Sequence, residues 1–116
     1  MDVITALKER RSIRKYKPDA IPDMDLEEVL EAARWAPSWA NTLCWELIVV
    51  KDFYTKKKLA ETLPSGNPAC SALREAPVVI VACAQVGKAG FFKGKAVTDM
   101  GDWYMFDVAL AMHILT

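Results

Sequence analysis

The stretch "APSWANTLCWELIVV", residues 36–50, holds the end of a helix, a polar loop and the start of a strand. Pro37 predicts that the preceding helix ends here, because proline disfavours helical conformation in the residue before it. Ser38 and Asn41 follow in the loop, and Trp45 to Val50 is an apolar run rich in β-branched residues, which predicts a strand. Small polar residues at a sheet edge can hydrogen-bond the edge of a flat heteroaromatic ring. The alternative is a loop whose Asn41 bonds its own backbone, with both tryptophans in the core.

Helices and strands alternate around this stretch. Helical spacing of apolar residues predicts helices near residues 2–9, 25–36 and 54–63, and a shorter helix before Pro77. Val78 to Ala84 is apolar throughout, which predicts a central strand covered on both faces. Two strands are too few for an independent sheet.

Three further segments complete the prediction. Asp25 and Glu28 resemble a capping box at the start of the second helix, whose apolar face includes Leu26, Val29, Leu30 and Ala33. The glycine-rich "QVGKAGFFKGKA" predicts a mobile loop. "DWYMFDVALAMHILT" lacks Gly and Pro and is apolar on most faces, which predicts a buried helix. Since nothing downstream would cover that helix, we expect an intimate oligomer or, preferably, the N-terminal portion of a longer protein.

Composition limits the class of protein. The 116 residues predict one domain, 1–116, and 53% hydrophobic residues are ample for a core. Fifteen basic residues balance fifteen acidic ones, so any anion site must be local. Three scattered cysteines and one histidine give no zinc spacing, and we expect no metal. With no signal peptide and no apolar run long enough to span a membrane, we expect a soluble cytoplasmic protein without a membrane partner.

The local anion site is predicted in "KERRSIRKYK", residues 8–17. Beyond the first helix an extended chain points Ser12 and Arg14 to one side and Ile13 to the other. Ile13 would then anchor the segment in the core while Arg10, Ser12 and Arg14 face one phosphate. A solvated basic turn is the alternative.

A nucleic-acid partner is not expected, because that would need a wider basic face. The other lysines lie in blocks such as Lys56 to Lys58, which resemble the outer face of a helix.

Taken together, R-R-S-x-R after the first helix, then A-P-S-x-x-N, then W-x-x-I-V-V, resemble the nitroreductase family. Its members are FMN-dependent oxidoreductases that use NAD(P)H and form interlocked homodimers. "EAPVVIVACA" and "TDMGDWYMFDVALAM" are similar to the family's second strand and long central helix. The resemblance implies a nitroreductase-like α+β fold, with a central sheet flanked by helices and truncated after the central helix.

The resemblance also implies site residues. Arg10 and Ser12 would hold the FMN phosphate and ribityl end, with Arg11 close by. Arg14 would lie toward the pyrimidine side, where a cation stabilises the charge of the reduced flavin. Three further residues, which lie in the loop before the first strand, would reach the same FMN from the partner subunit. The predicted cofactor-binding set is therefore Arg10, Arg11, Ser12 and Arg14 from one subunit and Pro37, Ser38 and Asn41 from its partner.

The implied reaction passes electrons from NAD(P)H through FMN to a nitroaromatic, a quinone or a similar small acceptor. A ping-pong mechanism is expected because donor and acceptor cannot stack on one flavin face together. No protein residue is expected to be catalytic, since the cofactor carries the chemistry. Leu43 and Cys44 depart from the family, which usually has Gln and Pro there. The alternative is a non-catalytic, truncated module that binds flavin or dimerises.

Overall fold

The computed structural model describes all 116 residues, which form two compact units. The first unit contains residues 1–20 and 50–79, and the second contains residues 21–49 and 80–116. The single domain expected from the chain length stays a prediction. The elements are α1 (Val3–Glu9), α2 (Asp23–Arg34), a 3₁₀ turn (Trp39–Asn41), β1 (Trp45–Val50), α3 (Phe53–Glu61), α4 (Ala69–Glu75), β2 (Val79–Ala84), β3 (Phe91–Phe92), β4 (Lys95–Ala96) and α5 (Tyr104–Ile114).

In the first unit, α1 is capped but covers no core. The Asp2 carboxylate accepts hydrogen bonds from the Thr5 N–H at 3.0 Å and the Thr5 hydroxyl at 2.7 Å. These bonds lower the pKa of Asp2. No residue of α1 is buried, and Val3 and Leu7 keep 74% and 55% of their surface exposed. The apolar face of α1 is therefore left open.

Helices α3 and α4 pack together in the same unit. The Lys56 side chain is buried, and its Nζ donates to the Ala76 carbonyl oxygen at 2.7 Å. The prediction that this lysine lies on an outer helix face was wrong, although Lys57 and Lys58 are exposed as predicted. The physical reason is that the ammonium group supplies a donor near the C-terminal end of α4, where carbonyl groups lack helical partners.

In the second unit, β1 pairs with β2. All six residues of β2 are half-buried, so the predicted full cover on both faces was wrong. Helix α2 begins at Asp23 after Pro22, with no side-chain cap. The predicted capping box was therefore wrong, because Asp25 already lies inside the first turn. Leu26 and Ala33 are buried, whereas Val29 remains exposed.

The glycine-rich segment forms a hairpin of β3 and β4, in which Phe91 pairs with Ala96. The predicted loop was wrong for residues 91–96 but agrees with the turns at residues 86–90. The hairpin forms because Lys93 and Gly94 both have positive φ, 48° and 76°, as a tight type I′ turn requires. Gly90 has a φ of +82°, and a Cβ there would clash with the side chain of Trp103.

Helix α5 packs against α2, but Asp107 and Ala111 are its only buried residues. Met105 and Phe106 are 71% and 56% exposed, so the prediction of a buried helix was wrong for this chain. Much of the apolar surface of α5 is therefore open to solvent. None of the helices combines the length and the apolar character that crossing a membrane requires.

Candidate functional site

The basic segment, residues 10–14, lies in the first unit and has no regular structure. All of its side chains are exposed, including Ile13 at 62%, so the predicted anchoring of Ile13 in the core was wrong. Arg11 Nη1 donates to the carbonyl oxygens of Lys8 at 2.7 Å and of Arg10 at 2.8 Å. Arg14 Nη1 lies 3.4 Å from the Ser12 carbonyl oxygen.

No carboxylate pairs with the guanidinium groups of Arg10, Arg11 or Arg14. Three exposed cations close in sequence repel one another and gain from a bound anion. Guanidinium groups and a hydroxyl, here from Ser12, are the donors that suit a phosphate group. The donor set of the basic segment therefore fits a phosphate.

The second candidate segment is the loop of residues 38–43, in the second unit. Ala40, Asn41 and Leu43 have positive φ values of 45°, 54° and 50°. Asparagine tolerates the left-handed region, but alanine and leucine pay about 1–2 kcal/mol each there. Such strain persists only when surrounding contacts fix the backbone, and it is common at functional sites.

Two side chains fix this loop. Within it, Ser38 Oγ accepts the Leu43 N–H at 3.1 Å. From outside, both carboxylate oxygens of Asp107 accept the Trp39 N–H, at 3.0 and 3.1 Å. Asp107 is fully buried in α5. Sequence analysis did not find it, although a single acidic residue within an apolar helix is itself a signal, because such residues are rarely buried without partners.

The loop presents the predicted polar groups outward. Pro37 and Asn41 are exposed, and Ser38 is half-buried. The Asn41 side chain makes no hydrogen bond, so the alternative that it bonds its own backbone was wrong. Trp39 and Trp45 are half-buried rather than core residues. The structure brings the three predicted residues of this loop together, while the four of the basic segment lie in the other unit.

Cys44 follows the loop and is buried, with Sγ 3.9 Å from Asp107 Oδ2. Burial raises the pKa of the Cys44 thiol, and the nearby Asp107 carboxylate raises it further. A thiol with a raised pKa stays neutral and is a poor nucleophile. Cys44 is therefore a structural neighbour of the loop.

An open apolar groove of about 540 Å³ begins beside the loop. Leu43, one of the two departures from the family pattern, lines it together with Trp35. The Trp35 Nε1 donates to Glu31 Oε1 at 3.1 Å, and Arg34 pairs with Glu31 at 2.8 Å. The groove therefore has an apolar floor and a charged rim. No group of three or more metal-ligating side chains is present.

Comparison with known proteins assigns the chain to a family. The Nitroreductase family profile matches residues 7–115. The chain is 43% identical over 86 residues to the NADH dehydrogenase of Thermus thermophilus, covering 74% of this chain and 40% of that protein. It is 34% identical over 104 residues to the FMN reductase [NAD(P)H] of Bacillus subtilis, covering 90% of this chain and 39% of that protein.

A solved structure agrees with these matches. The nitroreductase family protein of Clostridium novyi NT superposes with a TM-score of 0.84 and 30% identity, covering 99% of this chain and 62% of that one. The chain thus spans about two fifths of the length of the two relatives named above. The predicted nitroreductase-like α+β fold is confirmed. With nearly all of its residues matched by the family profile, the chain belongs to the nitroreductase family.

Proposed function

We propose that the protein is an FMN-dependent oxidoreductase that passes electrons from NAD(P)H to a nitroaromatic, a quinone or a similar small acceptor by a ping-pong mechanism. The observation that carries this proposal is the set of unpaired guanidinium groups at the family's R-R-S-x-R motif. The Bacillus subtilis relative is itself named an FMN reductase that uses NAD(P)H.

The basic segment would bind the phosphate end of FMN. Arg10 and Ser12 would contact the phosphate and ribityl groups, with Arg11 beside them. Arg11 already donates to two carbonyl oxygens, which holds its guanidinium near the end of α1. Arg14 would face the pyrimidine ring. Its positive charge would favour the reduced flavin, which is more negative than the oxidised one.

The loop of residues 38–43 would bind the ring edge. The Ser38 oxygen accepts the Leu43 N–H, so its hydroxyl hydrogen remains available to donate. Asn41 carries both a donor and an acceptor, and its side chain is exposed. Pro37 would limit the mobility of the segment that leads into the loop. When bound, FMN supplies two-electron transfer between donor and acceptor, and these residues only orient it.

A homodimer would combine the two segments. One copy would supply residues 10–14, and its partner would supply Pro37, Ser38 and Asn41. The exposed apolar faces of α1 and α5 offer surface for such an interface, since Val3, Ile4, Met105 and Phe106 are each more than half exposed. We further propose one domain and a cytoplasmic location, where the three free thiols would remain reduced.

A visible absorption spectrum of the purified protein, with its intact mass from the same tube, tests this proposal. We expect a yellow protein that releases FMN on denaturation and oxidises NAD(P)H in the presence of an acceptor. Parallel double-reciprocal plots would support the ping-pong mechanism. A colourless protein of the correct mass that does not bind added FMN would contradict the proposal.

The second candidate is a non-catalytic module that binds flavin or dimerises. The extent of open apolar surface on α1 and α5 favours it, because these faces need a partner whether or not turnover occurs. Bound FMN without any NAD(P)H oxidation would select this module over the enzyme.

A further inference from the structure

The loop of residues 38–43 has a conformation that its own sequence does not favour. Three of its residues, none of them glycine, have positive φ. Within the loop, the Asn41 N–H donates to the Ser38 carbonyl oxygen at 3.1 Å, the Thr42 N–H to the Trp39 carbonyl oxygen at 3.0 Å, and the Leu43 N–H to Ser38 Oγ at 3.1 Å. These short-range bonds close a turn, but they do not fix its direction relative to the sheet and helices.

Asp107 provides the one hydrogen-bonded tie between residues 38–43 and a distant element. Its two carboxylate oxygens lie at 3.0 and 3.1 Å from the same donor, the Trp39 nitrogen, across 68 positions of sequence. The side chain is wholly buried, and its other hydrogen-bond partner is the Cys44 thiol. A buried carboxylate with so few partners is expensive to desolvate, which indicates that the contact with Trp39 is specific.

We propose that Asp107 is a positioning residue for the cofactor, because its carboxylate anchors the Trp39 N–H and thereby fixes the loop that presents Ser38 and Asn41. This inference rests on the proposed function. Because Asp107 has no exposed surface, it would act through the loop rather than by contact with the ligand. It acts by raising the population of the loop conformation that binds, and a ligand's apparent affinity falls in proportion when that population falls.

The decisive comparison uses Asp107→Ala and Asp107→Asn. Removing the acceptor should raise the dissociation constant for FMN about ten- to a hundredfold, because hydrogen bonds to charged groups are among the stronger ones. Asparagine keeps one acceptor oxygen, so Asp107→Asn should recover part of the affinity. Titration of the apoprotein with FMN, followed by quenching of flavin fluorescence, measures the dissociation constant of each variant. Amide hydrogen exchange at residues 39–43 should accelerate more in Asp107→Ala than in Asp107→Asn.

Asp102→Ala is the matched control. Asp102 also accepts two backbone N–H groups, from Gly87 at 2.6 Å and from Tyr104 at 3.0 Å, but neither hydrogen bond reaches residues 38–43. Its substitution should lower thermal stability while leaving FMN affinity and loop exchange near the values of the unsubstituted protein. The control therefore distinguishes a specific loss of FMN affinity in Asp107→Ala from a loss caused by lower stability alone.

A second pair of variants removes the donor instead of the acceptor, and it decides the matter if Asp107→Ala does not fold. Trp39→Pro deletes the N–H, and the preceding residue already has extended dihedrals, −137° and 158°, that proline tolerates. Trp39→Ala keeps the N–H and loses the same indole. Proline should weaken FMN binding about tenfold or more relative to alanine.

The outcomes separate the two proposals. If the unsubstituted protein binds FMN and the folded Asp107→Ala and Trp39→Pro variants bind equally well, the positioning role is overturned and the proposed function stands. If the unsubstituted protein does not bind FMN at all, the proposed function fails and this inference fails with it. Weaker binding in both variants, with unchanged binding in Asp102→Ala, supports the inference.

Discussion

The basic segment and the loop of residues 38–43 are stabilised in different ways. The basic segment has only short-range bonds, such as those from Arg11 to the carbonyl oxygens of Lys8 and Arg10. The loop is tied to a buried carboxylate 68 positions away and has three left-handed residues. The first segment therefore depends on its ligand for order, whereas the fold prepares the second segment in advance.

This difference separates affinity from stability. Substitutions of the arginines in the basic segment remove exposed charges whose only hydrogen bonds run to nearby backbone carbonyl oxygens, so they should change mainly ligand affinity. Substitutions in the loop or at Asp107 should change both the FMN affinity and the free energy of unfolding, because the same hydrogen bonds stabilise the fold and the binding conformation of the loop. Measuring FMN affinity and unfolding on the same variant separates the two quantities.

The largest expected effect comes from the double variant Arg10→Ala, Arg14→Ala. It should weaken FMN binding about a hundredfold or more, since each charge-assisted contact to phosphate or flavin contributes roughly 1.5–3 kcal/mol. The melting temperature should hardly change, because both side chains are exposed and form no ion pair. FMN titration and thermal unfolding of the apoprotein check the two halves of the prediction.

The double variant Lys15→Ala, Lys17→Ala is the control, because it removes the same charge from exposed positions three residues or less downstream. Its FMN affinity should stay within about threefold of the unsubstituted protein's, as expected for screened charges outside a direct contact. Equal losses in both double variants would show that general charge, rather than a defined phosphate site, attracts the ligand.

Ser38→Ala should have the next largest effect, and it should change both quantities. The substitution removes the acceptor of the Leu43 N–H and should cost about 1 kcal/mol of stability. FMN affinity should also fall, since the hydroxyl and the loop geometry are lost together. Ser71→Ala is the control, because the exposed Ser71 in α4 only donates back to the Pro68 carbonyl oxygen. A Ser38→Ala variant as stable as Ser71→Ala would contradict the structural role of the hydroxyl.

Local patterns predicted the parts of the fold that local forces determine. The apolar run at residues 45–50 gave β1 with its observed bounds, and Pro37 follows the end of α2 at Arg34 as predicted. The hairpin of β3 and β4 was missed because each strand has only two residues. Its central residues, Lys93 and Gly94, are also a weak turn signal, because type I′ turns prefer Asn-Gly, Asp-Gly or Gly-Gly.

Long-range contacts explain the other errors. Nothing near Asp107 in sequence indicates that its partner is the Trp39 N–H, and nothing near Lys56 indicates the Ala76 carbonyl oxygen. Similarly, the apolar surface of α5 shows that the helix needs cover but not which segment provides it. The sequence therefore predicted the polar residues of the candidate site, whereas the contact of the Asp107 carboxylate with the loop that carries Ser38 and Asn41 is visible only in the structure.

Relief of backbone strain should give a smaller effect of opposite sign. Ala40→Gly should stabilise the protein by about 0.5–1 kcal/mol, because the left-handed penalty of alanine exceeds the entropy cost of glycine. Ala32→Gly, at an exposed position in α2, should instead destabilise it by about 0.5–1 kcal/mol. Chemical denaturation of both variants measures the difference. Destabilisation by both would mean that the loop is not strained at Ala40.

The smallest effect is confined to alkaline pH and concerns the Cys44 thiol. Burial, then the Asp107 carboxylate, raises the pKa of Cys44 above its ordinary value of 9.0. Below that value the thiol is neutral in both the folded and the unfolded chain, so its contribution to stability is fully present. As the pH rises further the unfolded chain ionises first, and this contribution is lost progressively until the pH passes the raised folded value.

Cys44→Ala should therefore flatten the dependence of the unfolding free energy on pH between about pH 8 and about pH 10, whatever it does to stability at neutral pH. All other ionisable groups are common to both proteins, so their contributions cancel in the difference. Asp107→Asn should flatten the same dependence partly, since it removes the charge but not the burial. An unchanged slope in Cys44→Ala would show that neither burial nor the Asp107 carboxylate raises the pKa of the thiol, and that the buried end of the loop is more hydrated than the structure indicates.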